Sequence, residues 1–249
     1  MRPVLFRLRG VTIRSYPAML YVGLVAGLLA GNVAAHAAGM DAFRVLVVSL
    51  ILLVPSLIGA RLLYVASHWR VYRQNPELIW NRNRGGAAQY GGLALALPLS
   101  FPLTGALRLS WGGFWDVAVF TILAGMIFGR VGCLLNGCCA GRPSKSRLAV
   151  DLPNLGGVWA RRLPTQCLEA GWAAALLALA VEIRPKLPFP GALFWIVVAG
   201  YAAGRLVLEG TRESRPGART FTIHHGLSAG LILLSAIALA FGWPKPWTS

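Results

Sequence analysis

Acidic residues are scarce in this sequence, which has 8 Asp and Glu residues against 24 Lys and Arg residues in 249 positions. Charged residues make up only 13% of the chain, and the mean hydropathy is +0.61. Because soluble domains carry about 25% charged residues, this composition excludes an ordinary soluble protein. The sequence also lacks a clear internal repeat and a low-complexity tail, so we expect residues 1–249 to form a single transmembrane domain.

Long apolar runs fill most of the chain. A hydrocarbon core of about 30 Å needs about 20 apolar residues per helix, and backbone groups in lipid are satisfied within helices. The sequence therefore predicts an all-α, polytopic integral membrane protein with about seven transmembrane helices. The first run is too long for a signal-peptide core and more runs follow, which predicts an uncleaved first helix. The predicted spans are Tyr16–Ala38, Phe43–Ser67, Gly91–Leu107, Phe114–Leu135, Gln166–Val181, Pro190–Leu208 and His225–Gly242.

Most of the basic residues fall on one side of the predicted bundle. That side holds the N-terminus and the loops after the second, fourth and sixth spans, including basic extramembrane loops at 68–90 and 140–165. The positive-inside rule predicts that this side is cytoplasmic. The alternative interpretation is a surface that collects anionic lipid headgroups.

The stretch GRVGCLLNGCCAGR, residues 129–142, closes the fourth span and predicts a functional site. It places Arg130 near the end of a membrane helix, among small residues and thiols, where a charge is costly unless it is paired or lines a cavity. The amide of Asn136 needs partners at membrane depth, so we expect it to bond a neighbouring helix or a loop backbone.

Three cysteines in this stretch, Cys133, Cys138 and Cys139, are open to two interpretations. They are ordinary small buried residues, or one of them is a thiolate activated by Arg130. Their spacing matches no CxxC redox pair, and a closed zinc site needs further ligands. The sequence therefore predicts no metal site.

Several polar residues in the other spans are also candidates. Arg61 either lines a cavity or extends to the interface. Tyr16 and Tyr90 each lie at the start of a predicted span, where tyrosines commonly act as interfacial anchors. For Tyr90, the alternative is that its hydroxyl enters a polar cavity. Gln166 and Glu169 open the fifth helix, where an acidic group is favoured by the helix dipole.

The sixth span ends in YAAGRLVLEGTR, where Arg205 and Glu209 are four residues apart. This spacing places both side chains on one helix face and predicts an ion pair. A guanidinium held by a carboxylate is also oriented in advance to bind a phosphate.

These stretches together resemble the bacterial phosphatidylglycerol:prolipoprotein diacylglyceryl transferases, which are seven-helix inner-membrane enzymes. The resemblance runs from the first to the sixth helix and so covers most of the chain. Its most specific parts are the fourth-helix stretch and the R-x-x-x-E pair. The matching segments are IRSYPAMLYVG, GARLLYV, YGGL, GRVGCLLNGCCAGR, PTQCLEA and YAAGRLVLEGTR.

The resemblance implies transfer of a diacylglyceryl group from phosphatidylglycerol to the lipobox cysteine thiol of a prolipoprotein signal peptide, with release of glycerol phosphate. It implies membrane partners and no nucleic acid, metal or nucleotide cofactor. By this resemblance, Arg130 and Arg205 clamp the phosphate, and Glu209 orients Arg205. The substrate-binding residues are then Tyr16, Arg61, Asn136, Gly141, Gln166 and Glu169.

The chain departs from the family pattern at three positions. Tyr90 stands where the family has a histidine, and Cys133 and Cys138 stand where it has an asparagine and a glutamate. Its position makes Tyr90 a candidate catalytic residue together with Arg130, Arg205 and Glu209. A tyrosine has a reference pKa near 10, so it is a poorer proton acceptor near neutral pH than the histidine it replaces.

Three hypotheses follow. In the first, the chain is a prolipoprotein diacylglyceryl transferase. In the second, it is a relative that acts on another acceptor or that uses Cys133 or Cys138 as a nucleophile in a two-step route. In the third, it is a non-catalytic phospholipid-binding membrane protein. The family resemblance places the N-terminus and the catalytic face in the periplasm of a multi-pass inner-membrane protein, opposite to the positive-inside rule.

Overall fold

A computed structural model describes residues 4–8, 11–80, 88–154, 156–213 and 223–243. Within these residues the chain forms eight α-helices and two short antiparallel hairpins. The elements are β1 (Val4–Leu8), β2 (Val11–Arg14), α1 (Ser15–Ala37), α2 (Ala42–Ser67), α3 (Trp69–Tyr72), α4 (Gln89–Ala106), α5 (Trp111–Asn136), β3 (Val150–Pro153), β4 (Trp159–Arg162), α6 (Thr165–Ile183), α7 (Ala192–Glu209) and α8 (Ile223–Ala240).

All seven predicted spans coincide with helices. In the part of the chain that the structure describes, five helical segments are long and apolar enough to cross a membrane: α1, α2, α5, α7 and the segment Thr165–Lys186, which extends α6. The helix α4 contains Pro98 and Pro102, and the apolar part of α8 is shorter. The all-α polytopic class is confirmed, and the count of seven crossings stays a prediction.

The two hairpins were not predicted from the sequence. β1 and β2 pair with Val4 opposite Arg14 and lead directly into α1. β3 and β4 pair with Val150 opposite Arg162, inside the predicted basic loop 140–165. Strands of four or five residues in basic segments give no long apolar pattern, so they are hard to detect.

Helices α1 and α5 pack with their backbones close together. A Cβ added to Gly27 would lie 2.5 Å from the Thr121 carbonyl oxygen, and one added to Gly31 would collide with the Thr121 side chain. Small residues at such four-residue intervals allow close helix contact in membranes. Nearer the bundle end, a Cβ added to Gly132 would lie 3.0 Å from Met19 Cβ, so the start of α1 is also held close to the end of α5.

Helices α5 and α7 are the most buried of the long apolar helices that the structure describes, and they are tied to each other. The carboxylate of Asp116 accepts hydrogen bonds from the backbone N–H groups of Gly191 (2.6 Å) and Phe194 (2.9 Å) at the start of α7. These N–H groups have no partner within the helix. Asp116 therefore satisfies the N-terminus of α7 and fixes its position on α5.

Four helix ends meet at one end of the bundle: the start of α1, the end of α5, the start of α6 and the end of α7. The connecting segments are joined by backbone hydrogen bonds. Gly141 N–H donates to the Leu163 carbonyl and Arg142 N–H donates to the Thr211 carbonyl, each at 2.9 Å. The candidate residues of the fourth, fifth and sixth predicted spans are thereby brought together.

Candidate active site

Three arginine side chains converge on the carboxylate of Glu169, near the start of α6. Arg130 Nε lies 2.7 Å from Oε2. Arg205 Nη1 and Arg212 Nη2 each lie 2.6 Å from Oε1. Arg130 comes from the end of α5, Arg205 from α7 and Arg212 from the segment after α7, so Glu169 joins three separate parts of the chain.

A second carboxylate completes this arginine cluster. Glu209 Oε2 lies 2.9 Å from Arg205 Nη2 and 3.7 Å from Arg212 Nε. The ion pair of Arg205 and Glu209, predicted from their spacing, is therefore confirmed. Three arginines and two glutamates give the cluster a net charge of +1 (3 − 2).

The cluster is largely removed from solvent, since the side chains of Glu169 and Arg205 are 7% and 10% exposed. Buried charges are stable only when they are paired with good geometry, and each member of this cluster has an ionic partner. Among the described residues, Arg130 pairs through Nε alone, so its two terminal nitrogens remain as donors. A planar guanidinium with two free donors suits a phosphate oxygen pair.

The loop after α5 is held by Gly141 and Gln166. A Cβ on Gly141 would lie 2.5 Å from the Thr211 carbonyl oxygen and would also collide with the Thr165 hydroxyl, so only glycine fits. Gln166 Nε2 donates to the Cys138 carbonyl at 2.7 Å. Gln166 is 1% exposed, and its Oε1 has no hydrogen-bond partner among the described residues.

The expected hydrogen bond from the Asn136 amide to a neighbouring helix or a loop backbone is not present among the described residues. Asn136 is the last residue of α5 and is exposed. Its amide interacts with the nearby Cys138 thiol. Because Gly137 ends the helix in a left-handed conformation (φ 73°), Asn136 lies at the surface of the bundle end and needs no partner from another helix.

Tyr16 lies against the turn of α5 that carries Arg130. A Cβ on Gly132 would be 3.4 Å from Tyr16 Cδ2, so the absence of a side chain at Gly132 makes room for the ring. Tyr16 is close enough to Arg130 and to the neighbouring thiols to interact with them electrostatically.

An apolar cavity of about 300 Å³ lies between α2, α4, α5, α7 and α8. Tyr201, which is one turn before Arg205, borders it, and its hydroxyl donates to Gln89 Oε1 at 2.7 Å. The hydroxyls of Tyr90 and Ser228 are 2.7 Å apart at the same border. The cavity therefore begins beside the arginine cluster. Its apolar lining includes Leu57, Leu93, Val119, Leu123, Val198 and Leu231.

Arg61 binds the loop after α2. Its Nε donates to the Ile79 carbonyl at 2.7 Å and its Nη2 to the Leu78 carbonyl at 3.1 Å. The guanidinium also lies over the rings of Tyr64 and Tyr72, at 5.7 and 5.5 Å. These contacts hold the segment that leads towards α4, and they differ from the carboxylate contacts of the arginine cluster.

The thiols of Cys133, Cys138 and Cys139 lie beside the arginine cluster, with their sulfur atoms all within 4.8 Å of one another. The Cys138 thiol donates a hydrogen bond to the backbone carbonyl of Cys133 at 3.6 Å, which holds it against the end of α5. The linear spacing of these cysteines gave no sign of this arrangement, which depends on the turn at Gly137.

Sequence reasoning missed Arg212 and Tyr201 as site residues. Tyr201, Arg205, Glu209 and Arg212 follow one another at intervals of four, four and three residues, which is the repeat of one helix face. From that periodicity, Tyr201 and Arg212 could have been identified as residues on the same helix face as Arg205 and Glu209. Nothing comparable marked Gln89 or Ser228, because their contacts join residues more than a hundred positions apart.

Comparison with known proteins extends these observations. A family model described as prolipoprotein diacylglyceryl transferase matches residues 3–241. Among curated proteins, the chain is 30% identical to the phosphatidylglycerol–prolipoprotein diacylglyceryl transferase of Dehalococcoides mccartyi strain 195 over 244 residues, covering 96% of this chain and 92% of the relative. It is 27% identical to the protein of that name from Clostridium kluyveri over 250 residues (98% and 95%), and 26% identical to that from Clostridium tetani over 223 residues (87% and 88%).

Proposed function

Because the chain belongs to the prolipoprotein diacylglyceryl transferase family, we propose that it transfers the diacylglyceryl group of phosphatidylglycerol to the cysteine thiol of a lipobox signal peptide. The single observation that carries this proposal is the convergence of three arginines, with a net charge of +1, beside an apolar cavity.

In the proposed reaction, the peptide sulfur attacks the glycerol carbon that bears the phosphate. A C–S bond forms, the C–O bond to phosphate breaks, and the bonding electrons leave with the phosphate oxygen. The products are a thioether-linked peptide and glycerol phosphate, and the thiol proton is released. Negative charge therefore grows on the leaving phosphate, which fixed positive groups in a dry site stabilise.

The net charge of the arginine cluster matches one phosphodiester anion. Arg130 offers its two terminal nitrogens to the phosphate, while Glu169 and Glu209 hold Arg205 and Arg212 in place. A rigid, charged pocket costs little reorganisation when charge develops. We assign phosphate binding to Arg130 and Arg205 on this basis, with Arg212 as a third cation.

The other candidate residues take roles that follow from their contacts. We assign the acyl chains of the lipid to the apolar cavity. We assign the glycerol of the headgroup to the region of Tyr16 and Gln166, because the buried Oε1 of Gln166 is an available hydrogen-bond acceptor. Gly141 keeps the loop close to α6. Arg61 positions the loop after α2 rather than the lipid.

Tyr90 is assigned to the border of the cavity. Its hydroxyl is hydrogen-bonded to Ser228, and a phenol with a reference pKa near 10 is a poor proton acceptor. Tyr90 therefore orients the substrate in this proposal and does not remove the thiol proton.

The test is incubation of the purified full-length protein with phosphatidylglycerol labelled in its acyl chains and a lipobox peptide. We expect label on the peptide and stoichiometric release of glycerol phosphate. A peptide with serine in place of the lipobox cysteine is the matched control and stays unlabelled. Consumption of the lipid without labelling of the peptide would overturn the proposed acceptor, the lipobox thiol. No consumption of the lipid would overturn the proposed transfer reaction.

Consumption of the lipid without peptide labelling corresponds to the alternative function, transfer to another acceptor. The observation in its favour is the replacement of the expected histidine by Tyr90 at the cavity border. The serine variants of Cys133 and Cys138 test its two-step form. Loss of lipid consumption in either variant would support a thiol nucleophile, and unchanged consumption would eliminate it.

We also propose an orientation in which the N-terminus and the active site face the periplasm. The site lies at the end of the bundle that carries the start of α1, so both share one side. The net positive cluster and the basic loops 68–90 and 140–165 supply a surface for anionic headgroups on that side. Residues 1–249 act as one transmembrane domain in this arrangement.

A further inference from the structure

A group of three thiols lies next to the arginine cluster and takes no part in the proposed reaction. Cys133 is in the last turn of α5, and Cys138 and Cys139 follow in the loop. The left-handed turn at Gly137 brings the chain back, so that the three sulfur atoms lie within 4.8 Å of one another. All three cysteines are free.

We infer that Cys133, Cys138 and Cys139 form a binding site for a thiolate-preferring cation of the Zn²⁺ and Cu⁺ class. Three sulfurs bind the cation, and one coordination position stays open. Soft thiolate ligands select such cations over Mg²⁺ and Ca²⁺, which prefer oxygen.

The distances fit this coordination with little movement. A Zn–S bond of about 2.3 Å places tetrahedral sulfur ligands about 3.8 Å apart, so the thiols need to close by about 1 Å or less. Cys139 already has an uncommon backbone conformation for a residue other than glycine, with φ 62°. Such conformations are concentrated at ligand sites.

The charges around the three thiols also favour binding of such a cation. Three thiolates with a divalent cation carry a net charge of −1, and Arg130 and Arg212 are close enough to the thiols to offset it. Thiol ligands must lose their protons on metal binding, which nearby cations assist. Cys139 is exposed, so an ion has a route from solvent.

The experiment uses the full-length protein in detergent, reduced with a thiol-free reductant and kept anaerobic. Zn²⁺ and Cu⁺ are titrated separately, and bound metal is measured by elemental analysis after desalting. We expect about one equivalent of each, no retention of Mg²⁺, and a higher melting temperature with Zn²⁺, since a ligand that binds only the native state stabilises it.

The variants Cys133→Ser, Cys138→Ser and Cys139→Ser each lose the bound metal and the Zn²⁺-dependent shift in melting temperature. Cys167→Ser, which alters an exposed thiol outside the group, keeps both. The melting temperature without metal reports whether each variant folds. Failure of the wild type to retain Zn²⁺ or Cu⁺, or equal retention in all four variants, overturns the inference. Because none of these readouts uses lipid or peptide, they are independent of transferase activity.

Discussion

Among single residues, Glu169 has two opposing effects on the site. Its carboxylate cancels part of the positive charge that attracts a phosphate, and it also holds three guanidiniums that would otherwise repel one another. Like charges a few ångströms apart repel strongly in a low-dielectric interior. The second effect is the larger one at this depth, since Glu169 is 7% exposed, so we assign Glu169 to organising the cluster.

Glu169→Gln keeps the size of the side chain and removes its charge. We expect a loss of at least about 3 kcal/mol in stability, because a buried ion pair that loses one partner leaves an uncompensated charge. Transfer activity falls at least about a hundredfold in the folded fraction, as expected when fixed charges in an active site are disturbed. Thermal unfolding and the peptide-labelling assay measure the two effects.

The control for that variant is Glu182→Gln. Glu182 pairs with Lys186 at 2.7 Å, but its side chain is 74% exposed. Exposed pairs of this kind contribute about 0–1 kcal/mol, so stability and activity stay at the wild-type level. An equal effect of both substitutions would contradict the role given to Glu169.

Arg130→Lys retains the positive charge but loses the planar fork. Because a lysine offers a point charge in place of two parallel donors, we expect a rise of about tenfold or more in KM for phosphatidylglycerol with the fold intact. Arg44→Lys, in an exposed pair with Asp41, leaves KM unchanged. A wild-type KM in Arg130→Lys would show that the terminal nitrogens of Arg130 do not bind the phosphate.

At the level of whole elements, the helices were predictable and the contacts between them were not. Apolar runs located the helices of all seven predicted spans, because a bilayer core sets both their length and their composition. The hydrogen bonds that Glu169 accepts from Arg205 and Arg212 join residues that are 36 and 43 positions apart in the sequence. No local periodicity reports such contacts, so the sequence indicated the arginines without indicating what holds them.

The contact of α1 with α5 gives a test at this scale. Gly27→Ala places a Cβ 2.5 Å from the Thr121 carbonyl oxygen, and forcing an atom into a packed interface costs about 1–3 kcal/mol. Gly171→Ala, in α6 with nothing within 4 Å of the added Cβ, is the matched control and is neutral or slightly stabilising. Thermal melting in detergent compares them, and equal melting temperatures would contradict the close approach.

Over the whole molecule, basic charge and active site occupy the same side. Arg130, Arg205, Arg212 and the start of α1 all lie at that end of the bundle, which places the site on the basic side predicted from the sequence. The positive-inside rule assigns that side to the cytoplasm. We propose that a catalytic requirement for cations accounts for part of the excess, so the periplasmic orientation proposed above is compatible with a basic face.

The orientation predicts the location of the C-terminus. With seven crossings and a periplasmic N-terminus, the C-terminus lies in the cytoplasm. We therefore expect a C-terminal fusion to a reporter that works only in the periplasm to be inactive. A fusion to a reporter that works in the cytoplasm should be active. The reverse pattern would contradict the orientation and restore the positive-inside assignment.

Direct lipid binding is the sharpest test of whether the arginine cluster binds an anionic lipid headgroup. Purified wild-type protein and Arg130→Ala are compared for binding of phosphatidylglycerol and of a zwitterionic phospholipid with the same acyl chains. We expect the wild type to prefer phosphatidylglycerol and Arg130→Ala to bind it at least about tenfold more weakly, equivalent to about 1.4 kcal/mol. Equal phosphatidylglycerol affinity in the two proteins would contradict this expectation.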